Sequence, residues 1–350
     1  MARIAAVGEA FPEYYYRQAE ILEALERIWG DRDLDMVKLE RLHRHAAVRG
    51  RHLALPLEAY QQQPRWGDAN DTWIRIADEL GGRAVLAALT AAGLGIADVG
   101  TLIFTSVTGL ATPSIDARLV NRLGLSPGVK RLPLFGLGCV AGAAGIARCA
   151  DLAKGDADAV IVLLSVELCS LTFQYDDLSV PNQVAAGLFG DGAAAAVIVG
   201  RNRPADGPCV VATRSVFYPD TVEAMGWRIS EKGFQLLLSR EIPTLIRRHL
   251  GEDVDRFLAE SSLGRRDITT WMAHSGGPRI LSAVKETLDL SDEALAVTWE
   301  SLRSVGNISS ASILHVLKRT MEQRRPPRGS LGLLFAMGPG FCAELVLVRW

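Results

Sequence analysis

An excess of positive or negative charge is missing from this chain: 38 Lys and Arg stand against 40 Asp and Glu, a net −2. No overall field favours nucleic acid or an anionic membrane, so any anionic ligand must be met by local basic residues. Cysteine is sparse, with five residues at positions 139, 149, 169, 209 and 342 and no CxxC pair. An odd, scattered set excludes a disulfide framework and a thiolate metal site, and the expectation is free thiols in a reducing compartment, the cytoplasm. No apolar run is long enough to span a bilayer: the stretch 83–98 is short and rich in Ala and Gly. The opening MARIAAVGEAF lacks the apolar region of a secretory signal and reads as a first strand. GxGxxG or a P-loop after a strand, and GxSxG anywhere, are also missing. Dinucleotide, nucleoside triphosphate and serine hydrolase chemistry therefore have no support.

What is present is an ordinary soluble composition, 49% apolar and 22% charged over 350 residues, enough for two domains or one large α/β unit. A strand is expected over 3–7 and an amphipathic helix over 18–29. Residues 36–52 form a basic helix and turn with Lys38, Arg41, Arg44, Arg49 and Arg51, either a solvated face or a clamp for nucleotide-like phosphates. A polar loop is read at 61–71, a long helix at 72–92, a strand at 101–106, and a helix opened by Pro113 and Ser114. A loop region runs over 167–192 and a strand over 193–199. The composition breaks at 201–208, RNRPADGP, and the boundary between residues 1–200 and residues 201–350 is placed there.

The stretch 132–165 organises the rest. It reads as a buried strand end, a turn carrying Cys139, a helix of Ala and Gly, and a buried strand. The second half repeats this order: 269–274 matches 101–106, the helix after Gly306 matches the helix after Cys139, and 331–336 matches 159–165. Thirty-three residues separate Ser106 from Cys139, and thirty-three separate His274 from Asn307. Two similar α/β halves about a pseudo-twofold axis follow from this duplication.

Such packing would bring Cys139 and Asn307 to helix N-termini facing a shared centre, with His274 at a strand end beside them. A thiol at the first helical turn gains from the macrodipole, and an imidazole can take its proton. An amide and an imidazole N–H can together stabilise an oxygen anion on a thioester. Read singly, Cys139 is equally a packing residue and His274 a satisfied core histidine. The other histidines are weaker candidates: His43, His45 and His52 lie in the basic segment, and His249 and His315 on surface-like helices.

Five segments, GLGCVAGAAG around Cys139, GLFGDGAAA with Phe189, WMAHSGGPRIL with His274, GNISSAS with Asn307 and AMGPGF with Gly338, Pro339 and Gly340, together resemble the type III polyketide synthases of the chalcone synthase family. The resemblance implies a thiolase-like fold, layered α-β-α-β-α. It also implies a catalytic set of Cys139, His274 and Asn307 that loads an acyl-CoA starter and extends it with malonyl-CoA before cyclisation. Phe189 would gate the tunnel, Lys38 and Arg41 would contact coenzyme A phosphates with Arg44, Arg49 and Arg51 left facing solvent, and the Gly338–Gly340 turn would shape the cyclisation pocket. Cys169 and Thr112 would line that pocket, with Val107 and Trp227 also differing from the plant pattern. Ser275 and Met337 depart from the usual Pro and Phe. The variant positions resemble bacterial members that take fatty acyl starters to alkylpyrones or alkylresorcinols; other starters, malonyl-CoA alone, and a fatty-acid-initiating ketoacyl synthase are the alternatives. A homodimer, no cofactor, no metal, no acyl carrier protein and no nucleic acid are expected.

Overall fold

The chain runs twice through one topology in a computed structural model that describes residues 1–30, 32 and 34–350. Strand β1 (Arg3–Ala10) leads through β2 (Tyr14–Arg17), α1 (Gln18–Trp29), α2 (Met36–His45) and β3 (Gly50–Leu53) into the long α3 (Trp66–Ala92). Then come β4 (Thr101–Thr105), α4 (Ile115–Leu123), β5 (Lys130–Leu134), α5 (Ala141–Gly155), β6 (Val160–Leu168), α6 (Val180–Leu188) and β7 (Asp191–Val199). The second pass is β8 (Cys209–Phe217), the hairpin β9 (Met225–Ser230) and β10 (Gly233–Leu238), α7 (Ile242–Ala259), β11 (Ile268–Ala273), α8 (Pro278–Leu288) and α9 (Ala296–Val305). It closes with α10 (Ala311–Gln323), β12 (Leu331–Gly338) and β13 (Cys342–Arg349).

Strand order exposes the duplication. One half-sheet runs β5-β4-β6-β7-β1 and the other β11-β12-β13-β8, joined edge to edge through β1 and β8 at Arg3 and Cys209. In each, a parallel pair (β4 with β6, β11 with β12) is followed by two antiparallel pairings. β6 (VIVLLSVEL) and β7 (DGAAAAVIV) are buried at every position, because helices cover both faces and no alternation with solvent is left. One core cluster joins α5 and α10 to the inner faces of both half-sheets. A second packs α3 and α4 on the outer face of the first half-sheet, and a third packs α7, α8 and α9 on the outer face of the second. The result is the expected thiolase-like layering, helix-sheet-helix-sheet-helix.

The central helices meet through small residues. A Cβ on Gly142 of α5 would lie 2.3 Å from the carbonyl oxygen of Ser310 at the head of α10, a separation no side chain tolerates. That contact brings the starts of the two helices, and hence Cys139 and Asn307, to one place.

Several sequence expectations change. Helix α3 begins at Trp66, inside the expected polar loop, with Asp68 in its first turn and bonded to Arg65; a carboxylate there suits the helix N-terminus despite the polar composition. Helix α6 lies inside the expected 167–192 loop; Pro181 at its first turn and Gly187 near its end disguise nine helical residues. His315 is buried and bonded to Glu9 rather than on a surface. Arg51, expected at the solvent face, is buried too. No helix among the described residues is long and apolar enough to cross a membrane.

Candidate active site

Cys139 sits in a short 3-10 turn, Gly138–Val140, that feeds α5, two residues before the helix's first residue Ala141. Gly138 has a φ of 57°, and a Cβ there would strike Pro339 at 2.6 Å; a Cβ on Gly338 would lie 2.7 Å from the Val140 nitrogen. The turn from Gly338 to Gly340 therefore presses directly against the nucleophile turn and fixes its path. The Cys139 sulfur lies 3.6 Å from Ser309 Oγ. Burial pushes its thiol up to about 12, with the Ser309 hydrogen bond pulling the other way and Glu167 adding to the rise. The expected lowering by the helix N-terminus is thus outweighed at rest: Cys139 is a neutral thiol that needs a base.

His274 follows β11 and donates its backbone N–H to Phe335 O at 3.0 Å, which extends the ladder with β12 by one residue. Its ring is buried, and neither ring nitrogen has a hydrogen-bond partner among the described residues. Burial pushes the imidazole down to about 4, so it is neutral at physiological pH, with one acceptor and one donor unused. Asn307 follows Gly306, whose φ of 72° turns the chain out of α9. Its backbone pairs across to the end of α6: Asn307 N–H donates to Leu188 O at 2.9 Å and Gly190 N–H to Asn307 O at 3.0 Å. Its side-chain oxygen accepts from Ser309 N–H at 2.9 Å and from Ser312 Oγ at 3.4 Å. With the oxygen tied down, the amide NH2 is the end left to donate.

These three residues line one cavity of about 990 Å³, together with Phe189, Cys169, Ser309, Trp227, Met337 and Pro339. Lys38 reaches the same cavity from α2, whose start is capped by Asp35 accepting from Lys38 N–H at 2.9 Å. A side pocket of about 80 Å³, mostly apolar, adjoins it and shares Cys169, Phe189, Trp227 and Leu236. Four expected positions differ. Arg41 is exposed and lines neither cavity: from Lys38 the lining row of α2 continues through Leu42 and His45, and Arg41, one turn from Lys38, stays at its solvent edge; Thr112 is exposed on the loop before α4. Of the Gly338–Gly340 turn, only Pro339 lines the cavity, Gly338 packing behind it against Val140 and Gly340 beside Phe217.

Sequence reading missed several residues here. Arg240, Arg247 and Arg279 border the cavity, Arg247 paired with Glu286; only helix orientation tells them from other surface arginines. Glu167 is fully buried, accepting from Ser106, Thr108, Ser310 and the Val107 N–H, and burial pushes it up to about 7. A lone carboxylate in an otherwise apolar strand was its available signal.

Two duplicated halves whose central helices converge on a deep cavity, with a thiol, an imidazole and an amide donor around it, define a condensing enzyme of the thiolase-like fold. The models for the N-terminal and C-terminal domains of chalcone and stilbene synthases match residues 1–203 and 209–350. The chain is 49% identical to a 1,3,6,8-tetrahydroxynaphthalene synthase of Streptomyces peucetius subsp. caesius, over 99% of this chain and 93% of that one. It is 32% identical to a phloroglucinol synthase of Pseudomonas fluorescens, over 97% of each. The crystal structure of the 1,3,6,8-tetrahydroxynaphthalene synthase of Streptomyces coelicolor A3(2), a bacterial type III polyketide synthase, superposes with a TM-score of 0.94 at 31% identity, covering 99% of both chains. The chain belongs to the chalcone and stilbene synthase family and is a type III polyketide synthase, a malonyl-CoA-condensing acyltransferase.

Proposed function

We propose that this enzyme builds a polyhydroxylated aromatic product by repeated decarboxylative condensation of malonyl-CoA units on Cys139. The observation that carries the reading is the convergence on one cavity of the Cys139 thiol, the partnerless His274 ring and the Asn307 amide with its oxygen already engaged. In loading, the Cys139 proton passes to His274 and the thiolate attacks the starter thioester, releasing coenzyme A. In extension, the bond to the malonyl carboxylate breaks, CO2 leaves, and the electron pair remains as an enolate whose oxygen lies between the His274 and Asn307 donors. The enolate carbon attacks the Cys139 thioester, and collapse of the tetrahedral oxyanion expels the thiolate and leaves a β-ketoacyl-CoA. The chain returns to Cys139 for further rounds before ring closure.

Phe189, at the junction of cavity and side pocket, suits a gate, and Lys38 with Arg240 and Arg279 suits coenzyme A phosphates. The relatives named for tetrahydroxynaphthalene and phloroglucinol make products without an alkyl tail, and a side pocket of about 80 Å³ is a short extension of the cavity, not a long tunnel. A second reading, a fatty acyl starter released as an alkylpyrone or alkylresorcinol, draws on the apolar lining of that pocket. No cofactor or acyl carrier protein enters either scheme. A homodimer is part of the proposal, supported by Leu132 and Phe135 exposed on and after the edge strand β5, and so is a cytoplasmic location, in keeping with five free cysteines.

The test gives purified enzyme malonyl-CoA alone and with acyl-CoAs of graded length, and reads products by mass spectrometry. An aromatic product from malonyl-CoA alone is expected. Turnover only with long acyl-CoAs would favour the second reading, and no turnover without an acyl carrier protein would sink both.

A further inference from the structure

Arg51 in β3 is 2% exposed; among the described residues no carboxylate is in ion-pair contact with it, and Asp191 acts on it only from beyond that distance. Its Nη1 donates to Gly187 O at 2.9 Å and to Gln18 Oε1, its Nη2 donates to Ala186 O, and its Nε has no partner. A desolvated guanidinium without a contacting anion is costly. What it grips is the last turn of α6, whose carbonyls have no intrahelical partner and carry the negative end of the helix dipole. Gln18 adds a second grip on Gly187 O, at 2.8 Å.

Directly after that turn lies an isolated parallel bridge between Phe189 and Asn307. The Arg51 stem runs beside both of its strands: a Cβ added to Gly190 would sit 3.2 Å from Arg51 Cβ, and one added to Gly306 would sit 3.5 Å from Arg51 Cδ. One side chain therefore bonds the end of the helix that leads into the gate segment and packs beside the turn that leads into the amide donor.

We propose that Arg51 is the positioning residue of this site: by clamping the end of α6 it holds the Phe189–Asn307 bridge in register and so aims the Asn307 amide at the enolate oxygen. The inference rests on the role given to Asn307 above. A lysine offers a single point charge and cannot span two carbonyls and a glutamine, so the planar fork of arginine is the required chemistry.

The experiment measures malonyl-CoA decarboxylation per titratable Cys139 thiol in wild type, Arg51→Met, Arg51→Lys, Asn307→Ala and the double variant Arg51→Met/Asn307→Ala. Arg51→Met should lower kcat about 10- to 100-fold, the range expected when a catalytic donor is displaced by about an ångström, with KM changed by less than about threefold. Arg51→Lys should recover part of the loss. Because Arg51 acts through Asn307, the double variant should be no slower than Asn307→Ala alone. A kcat for Arg51→Met within about twofold of wild type, or losses that multiply in the double variant, would overturn the inference. Should Arg51→Met not fold, Gln18→Leu takes its place, with a loss of several-fold that vanishes in the Asn307→Ala background, and an unchanged kcat there overturns the inference. An inactive wild type would remove the functional reading and this inference together, whereas an active wild type beside an unaffected Arg51→Met removes the inference alone.

Discussion

At the scale of single residues, the resting site is electrically quiet. Burial pushes the Cys139 thiol up to about 12 and the His274 imidazole down to about 4, so at neutral pH both are uncharged and a thiolate forms only as the proton moves onto the imidazole. The same shift leaves His274 able to accept that proton throughout the physiological range, and acid inactivation from this group is expected only as the pH falls toward about 4. His274→Ala should therefore slow carboxamidomethylation of Cys139 by iodoacetamide at pH 7 by about 10²-fold, the usual worth of a positioned base. Asn307→Ala removes a donor to an oxygen that is charged only during reaction, so it should cut malonyl-CoA decarboxylation by about 10²- to 10³-fold. It should leave the alkylation rate within about twofold, because the amide meets the thioester oxygen and not the thiol. Peptide mapping after brief alkylation checks the first result, and CO2 release the second. Equal effects of both variants on both readouts would contradict the division of roles.

At the scale of elements, the site depends on how closely α5 and α10 approach. Gly142 faces the Ser310 carbonyl with room for no Cβ, and Ser310 is the residue before α10 in the segment that also carries Asn307 and Ser309. Gly142→Ala should cost about 1–3 kcal/mol of stability by overpacking this contact, measured by urea unfolding. Gly155→Ala, at the open end of the same helix where a Cβ meets nothing within 4 Å, serves as the control and should stay within about 0.5 kcal/mol of wild type. Much of this was legible in the chain: the equal spacing from Ser106 to Cys139 and from His274 to Asn307 announced two superimposable units, and α1 spans the residues its periodicity predicts. α6 was not legible, because its helical pattern is only nine residues long and interrupted by Pro181 and Gly187. Nor was the burial of Arg51, since in the sequence it is one more cation in a basic run, and its partners come from α1 and α6. Lys38 and Arg41 are a similar case: their spacing puts them side by side on α2, but only packing decided that Lys38 reached the cavity and Arg41 stayed in solvent.

At the scale of the whole molecule, the acid dependence of stability is set by buried groups that pull in opposite directions. His274 and His43 are pushed down to about 4 and about 3, while Glu167 and Asp191 are pushed up to about 7 and about 6, burial being the leading cause in all four. For the histidines, the unfolded chain binds protons first as pH falls below about 6.5, so acidification costs stability. For the acids, the folded chain binds protons first, so their contribution is complete below the unfolded carboxyl range and is lost as pH rises through about 7 and about 6. Between about pH 6 and about 4.5 the two pairs nearly cancel, so the acids mask the acid cost of the histidines. Glu167→Gln keeps the shape of the side chain among Ser106, Thr108 and Ser310 but removes one of the opposing protons. Its stability relative to wild type should consequently fall by about 2 kcal/mol on going from pH 8 to pH 5.5, the linkage integral for one carboxyl raised from about 4.5 to about 7. Urea titrations at both pH values and one protein concentration, needed because subunit association would otherwise shift the midpoint, measure the difference directly. A variant-minus-wild-type difference that is independent of pH would mean that Glu167 is already charged in the folded protein at pH 5.5, and that the core around Cys139 is far wetter than its packing implies.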